Sequence, residues 1–268
     1  MYTEHWGLNA SPFSGTGGRK TFFESDAQAE AIARIDYLIN QNRRLGLLLG
    51  DEGLGKSTIM NHVRRQLRRQ RLPVAYLNAT GMDHSEMVIN LAQGLGAVHE
   101  TDTPLNAAWH AIFDCFQTNR YQHLNTVILI DDAHEAESDV LSAIVRLCQW
   151  CPAGKSRVTV ILAAESDKAE LIGRRLLQLS ELRVELEPWE QEDTIAFIRK
   201  LMIHSGATRR VFDVRAIEEI QRLSGGVPRR IVQLSELALV AGAGMELDRV
   251  DVDSVQAVEE ELRQTVSV

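Results

Sequence analysis

The stretch Leu47-Leu48-Leu49-Gly50-Asp51-Glu52-Gly53-Leu54-Gly55-Lys56-Ser57-Thr58 decides how this chain is read. The leucines end an apolar run with the character of a buried strand. A helix begins near Lys56, so the glycines lie in the turn between the two. Gly50 to Ser57 fits the pattern G-x-x-x-x-G-K-[ST], which is a phosphate cradle. Glycine opens backbone angles closed to other residues, and successive N–H groups then turn inward on one anion. Lys56 brings a mobile positive charge to the β- and γ-phosphates, and the Ser57 hydroxyl is a ligand for Mg2+. The helix start adds the positive end of its dipole. Gly50, Glu52, Gly53, Leu54, Gly55, Lys56, Ser57 and Thr58 are therefore the expected nucleotide-binding residues, with ATP and Mg2+ as the expected ligands.

Working outward, apolar runs at 46–49, 74–77, 127–130, 158–162 and 182–186 alternate with helical stretches at 26–40, 85–95 and 106–118. The runs are continuous instead of alternating, as in parallel strands covered on both faces, so the expected fold is a three-layer α/β/α parallel sheet. After Pro188 the strand signals stop. Helices are expected at 191–205, 213–223, 228–241 and 254–264, with Gly206 and Gly242 as stops. The expected organisation is a nucleotide-binding α/β domain, 1–187, followed by a helical lid domain, 188–268, with the nucleotide in the cleft between them. No internal repeat and no low-complexity linker interrupts the chain.

The third strand ends in Asp131-Asp132-Ala133-His134. Open α/β sheets bind ligands at the carboxyl ends of their strands, so Asp131 is expected to hold Mg2+ and Asp132 to polarise an attacking water as general base. The bland alternative is an acid pair capping the next helix. His134 reads either as a relay of phosphate state or as a helix-start histidine bonded to its surroundings.

Together, residues 50–57, 131–134 and Ser224-Gly225-Gly226-Val227-Pro228-Arg229-Arg230 resemble the AAA+ ATPases, a P-loop NTPase family whose lid carries a G-x-P-R arginine. The opening Met1-Tyr2-Thr3-Glu4-His5-Trp6, then Pro12-Phe13, Phe22-Phe23 and 31–39, resemble more narrowly the ExeA-like ATPase domain of general secretion pathway protein A. That group is similar in turn to the TniB and TnsC type transposition ATPases. The resemblance implies that Arg229 contacts the γ-phosphate, with Arg230 as its substitute. It also implies self-assembly, with Arg174 or its neighbour Arg175 reaching a nucleotide held by the next subunit. The chain departs from the family at two places. Asp132 stands where the family usually has Glu, which shortens the reach to water and predicts slow hydrolysis. The fourth strand ends in Ala163-Ala164-Glu165-Ser166, where relatives carry a neutral polar residue. Glu165 would repel a γ-phosphate unless protonated or turned away, which leaves Ser166 as the expected polar contact or as a helix cap.

At 268 residues, 44% hydrophobic and with net charge −8, the chain can bury a full core and is not basic overall. A DNA contact is confined to the face formed by Arg64, Arg65, Arg68 and Arg69, which reads equally as a solvated face or a subunit contact. Cys148 and Cys151 have C-x-x-C spacing without a second ligand pair, and core packing accounts for them. The few cysteines, and the absence of a signal peptide or of an apolar run near roughly 18 residues, imply a cytoplasmic protein with no direct membrane insertion. Trp6, Phe13 and Phe23 are expected either to wall an adenine pocket or to pack under the sheet. The function expected is ATP hydrolysis that assembles or remodels a protein partner. The alternatives are an ATP-dependent DNA clamp and a switch that binds ATP and scarcely cleaves it.

Overall fold

In the computed structural model, which describes residues 2–13, 22–100, 103–150 and 157–266, the five apolar runs form one parallel sheet. Its strands are β1 (Leu45–Leu49), β2 (Val74–Asn78), β3 (Thr126–Asp131), β4 (Val158–Ala164) and β5 (Leu182–Glu185). The order across the sheet is β2-β3-β4-β1-β5. Every residue of β1, β3 and β4 is buried, as the uninterrupted apolar runs require.

A short helix α1 (Tyr2–His5) opens the chain, and the helices around the strands are α2 (Asp26–Asn40), α3 (Lys56–Arg69), α4 (His84–Gly94), α5 (Leu105–Tyr121), α6 (Ser138–Cys148) and the short α7 (Arg174–Leu179). In α2 the buried residues Ala31, Ile32, Ile35, Leu38 and Ile39 follow the 3.6-residue period. A Cβ on Gly46 would stand 2.3 Å from Leu38 Cδ1, so the helix rests directly on β1. The start of α4 is fixed by a capping box. The Asp83 carboxylate accepts from the Glu86 N–H at 2.9 Å, and the Glu86 carboxylate accepts from the Asp83 N–H at 3.2 Å.

The last four helices are α8 (Gln191–His204), α9 (Val214–Ser224), α10 (Pro228–Gly244) and α11 (Val252–Val266). Pro228 occupies the first turn of α10, where its missing N–H costs nothing, and Asp213 caps α9 through the Val214 N–H. Gly242 does not end a helix, because α10 runs on to Gly244. Its lack of a side chain makes room for an indole instead, since a Cβ there would lie 3.1 Å from Trp6 Cζ2.

The chain divides into two compact units. One comprises 28–52 and 56–186 and holds the sheet; the other comprises 1–27, 53–55 and 187–268 and holds the C-terminal helices. The first 27 residues thus cluster with the helices, although their order in the chain grouped them with the sheet. The reason is aromatic burial. Trp6 is 1% exposed and donates its indole N–H to the Leu239 carbonyl at 2.9 Å. Phe13 and Phe23 join Trp189 and Phe197 in the same core.

Replacing Trp6 by alanine leaves a cavity beside Gly242 and removes the indole donor from the Leu239 carbonyl. The expected loss is about 3–5 kcal/mol, read as a fall in the urea midpoint of the transition that unfolds the C-terminal helices.

Candidate functional site

Three neighbouring strands bring the chemistry together. Because β4 lies between β3 and β1, the ends of these strands place Asp131 and Asp132, Glu165, and the loop that follows Leu49 along one edge of the sheet. In the loop, Gly53 has φ +83° and Gly55 φ +96°, angles that a side chain strains. Lys56 opens α3 at 7% exposure, and its ammonium donates to the Gly50 carbonyl at 2.6 Å and the Asp51 carbonyl at 3.0 Å. Burial lowers the Lys56 pKa, and the charges of Glu165, Asp132, Asp131 and Asp51 oppose that shift. Ser57 is exposed on the first turn of α3, beside half-buried Thr58.

Asp131 is fully buried at the end of β3. Its Oδ2 accepts from the Tyr76 hydroxyl at 2.8 Å and its Oδ1 from the Asp132 N–H at 3.2 Å. Its charge also acts on the Lys56 ammonium, and a buried carboxylate of this kind is a hard oxygen donor suited to Mg2+. Asp132 turns out of the strand in the left-handed region, φ +50° and ψ +40°, and its Oδ2 accepts from the Asn78 amide at 3.0 Å. Burial and then the Asp131 charge raise the Asp132 pKa, which moves this carboxyl toward the range useful to a general base.

Glu165 Oε2 pairs with the Lys168 ammonium at 2.7 Å and its Oε1 lies 3.4 Å from buried His134 Nε2. The Lys168 hydrogen bond holds its carboxyl below the usual range, and its charge acts on the Lys56 ammonium as well. Both His134 ring nitrogens are buried without hydrogen-bond partners among the described residues. Ser166 is exposed, and its carbonyl accepts from the Ala169 N–H at 3.4 Å.

The adjacent arginine pairs separate. Arg175 donates to Gln149 at 3.0 Å, while Arg174, exposed at the start of α7, has no partner among the described residues. In the helical unit, Arg230 bonds Glu259 and Gln233, whereas the Arg229 side chain is exposed. The Arg229 N–H rests on the Gly53 carbonyl at 3.3 Å, and a Cβ on Gly53 would meet Val227 Cγ1 at 2.9 Å. A nearby brace ties α9 to α11, where Glu219 accepts from Arg222 and Gln256 and its carboxyl falls to about 2, through the Arg222 bonds first.

The basic face of α3 is not open along its length. Arg68 and Arg69 are exposed, but Arg64 and Arg65 are half-buried, and the Arg64 guanidinium stands 5.3 Å over the Tyr76 ring. Cys148 is packed in the core, its thiol pushed up to about 12 by burial, and Cys151 lies outside the described residues. No histidine, cysteine and carboxylate cluster able to hold a metal occurs among the described residues. Sequence reading missed Tyr76 and Asn78, the residues that grip the two aspartates. Their only signal was period-2 spacing at the end of a strand.

The sheet, the glycine loop and the strand-end acids define the class. A family model for the AAA domain matches residues 39–172, and the chain belongs to that family, with the fold of the AAA+ P-loop NTPases. In sequence it is similar to General secretion pathway protein A of Aeromonas hydrophila, 26% identical over 245 residues that cover 90% of this chain and 45% of that protein. The chain thus spans less than half the length of the curated relative it matches. In fold it is similar to the ORC2 protein of Aeropyrum pernix in its ADPNP-ADP complexes, with a TM-score of 0.67 and 16% identity, covering 94% of this chain and 72% of that one. It is also similar to Cdc6p of Pyrobaculum aerophilum, with a TM-score of 0.71 and 14% identity, covering 94% and 70%.

The Arg230 contact is measurable in urea unfolding. Arg230→Ala removes one of the two arginines that hold the Glu259 carboxylate, Arg263 being the other, and is expected to cost about 1 kcal/mol.

Proposed function

We propose that this chain binds ATP with Mg2+ and hydrolyses it, coupling nucleotide state to the assembly or remodelling of a partner complex. The observation that carries this reading is one buried ammonium, Lys56, set among strand-end carboxylates at the mouth of a glycine loop. The Lys56 ammonium exchanges its carbonyl partners for the β- and γ-phosphates, and loop amides from Glu52 to Thr58 complete the cradle. Ser57 and Asp131 hold the metal, which when bound offsets the charge of the phosphates. Asp132 takes the proton of the attacking water as the water oxygen bonds the γ-phosphorus and the bond to the bridging oxygen breaks, with ADP leaving on that oxygen. Its short reach keeps turnover slow. Ser166 offers a hydroxyl beside this edge, while Lys168 pairs with Glu165.

Arg229 answers to the γ-phosphate through the family resemblance, and Arg174 supplies the arginine that a neighbouring copy lacks. The structure supports Arg174 over Arg175 because Arg175 is already bonded to Gln149. Self-assembly is therefore part of the proposal. A DNA clamp finds less support, since Arg68 and Arg69 alone offer too few phosphate contacts for strong binding. Among the described residues no helix is long and apolar enough to cross a membrane. A cytoplasmic site of action is part of the same reading.

Phosphate release tests the proposal. The chain should release phosphate only with Mg2+, and Asp132→Asn should slow it about 100-fold or more. Arg174→Ala should cost about 1000-fold, and mixing it with Lys56→Ala, inactive alone, should restore part of the rate, because each variant supplies what the other lacks. Equal background release by the unaltered chain and Asp132→Asn would identify a nucleotide-held switch instead of a hydrolase.

A further inference from the structure

We propose that the groove between the end of α8 and the start of α9 is a docking site for an amphipathic helix of a partner protein, one whose apolar stripe is flanked by carboxylates. The groove lies wholly within the helical unit and needs nothing of the nucleotide site, so the two readings fail separately.

A sharp return of the chain builds the groove. A Schellman turn ends α8, with the Gly206 N–H donating to the Ile203 carbonyl and the Ala207 N–H to the Met202 carbonyl, each at 3.0 Å, and with Gly206 at φ +91°. The segment that follows is pinned by Val250, whose N–H donates to the Val211 carbonyl at 2.8 Å and whose carbonyl accepts from the Asp213 N–H at 3.0 Å. Backbone hydrogen bonds therefore fix both walls. Ile198, Met202, Phe212 and Ile217 form the floor of a cavity of about 280 Å3. That is below the roughly 300–1,000 Å3 of a small-molecule pocket, so it suits one or two anchoring side chains better than a cofactor.

Its lips are apolar and open to water. Ile203 is 70% exposed and Val214 40%, and both line the groove. The stripe that α8 buries is Thr194, Phe197, Ile198, Leu201 and Met202, so Ile203 lies outside what the unit's own core uses. Scattered exposed apolar residues are ordinary, but these two stand on the two walls of one cavity.

Charge names the occupant. The chain carries a net charge of −8, yet Arg199, Lys200, Arg209, Arg210 and Arg215 fall between positions 199 and 215 with Asp213 as the only acid. That acid is engaged, because its carboxylate accepts from the Val214 N–H at 2.6 Å as the cap of α9. Arg199, Arg209 and Arg210 line the groove itself. Arg199 and Ile203 are four apart on α8 and share a face, which sets a guanidinium beside the exposed isoleucine. Arg209 meets only the fully exposed Asp248, at 4.0 Å, and Arg199 and Arg210 have no ion pair among the described residues. Guanidinium groups left without carboxylates in an acidic chain are available to those of a partner, and their forked donors suit bidentate pairing. Apolar anchors below and carboxylates at the rim are the pattern of a helix laid in a groove.

A lipid surface fits less well, because apolar residues that enter a bilayer protrude from a helix face, whereas these line a concavity. A second copy also fits less well. Its exposed apolar pair on α10, Leu237 and Val240, lies in a stretch from Gln233 to Gly244 whose single acid, Glu236, accepts from Ser11.

Fluorescence anisotropy on the full chain tests the proposal. The probe is a labelled helical peptide with leucines at i, i+3, i+4 and i+7 and glutamates on both flanks, and its twin carries lysines in place of the glutamates. The unaltered chain should bind the acidic peptide about tenfold or more tightly than the basic one, with an affinity that falls as salt rises. Ile203→Asp should weaken the acidic peptide about tenfold or more, as loss of an interface anchor does. Arg199→Glu combined with Arg210→Glu should reverse the preference, so that the basic peptide binds better. All three positions are exposed, so circular dichroism and the urea midpoint should match those of the unaltered chain. No binding of either peptide, equal binding of the two, or binding untouched by Ile203→Asp overturns the proposal. So does a groove that Ile203→Asp shows to hold something else, read as lost binding to vesicles of phosphatidylcholine and phosphatidylserine or as lost self-association in sedimentation velocity.

Discussion

A buried ammonium at the start of α3 is the constraint on which the site depends. Lys56 is 7% exposed, and taking its charge out of water is costly unless partners surround it. Two backbone carbonyls and the field of nearby carboxylates provide them, and burial still lowers its pKa. The loop that makes this geometry possible has two residues at angles that only glycine takes easily, and the strand before it must be rigid to aim it. The fold, the loop and the lysine thus stand or fall together. Under the proposed function, the phosphates of a nucleotide would offer this ammonium better partners than carbonyl oxygens do.

Strand order turns that single charge into a site. With β4 between β3 and β1, the ends of three fully buried strands meet, and each delivers a polar group at the point where the apolar run stops. The charges along this edge are sorted by their partners. Asp131 accepts hydrogen bonds from a hydroxyl and a backbone N–H, while Glu165 pairs with the Lys168 ammonium and still acts on Lys56 through its charge. Asp132 lies between these extremes, charged at a cost and held by an amide. Three carboxyl groups at one sheet edge thus have different electrostatic settings, although their residue types are nearly the same.

Much of this was legible in the sequence, for a physical reason. Strands buried on both faces are mostly apolar, so β1, β3 and β4 stood out as apolar runs in which Thr126 and Thr159 are the buried exceptions, and the glycine loop stood out because few sequences satisfy its angles. Features set by partners distant in sequence were hidden. Nothing in Met1 to Phe13 announced that Trp6 would lie against Gly242 in the helical unit, and Gly242 read as a helix stop when its role is to admit an indole. The paired arginines were equivalent in sequence. Gln149, distant in sequence, sets Arg175 apart from Arg174, and Glu259 engages Arg230. Tyr76 and Asn78 were invisible because a strand-end tyrosine or asparagine has no special meaning until the neighbouring strand is known.

Calorimetric titration of Mg-ATP into the chain and into Lys56→Ala reaches the central claim most directly. The account predicts a saturable one-site heat for the unaltered chain and none for the variant, with both proteins folded by circular dichroism. Equal heats from the two, or no heat from either, would contradict the assignment of Lys56 as the charge around which the site is built.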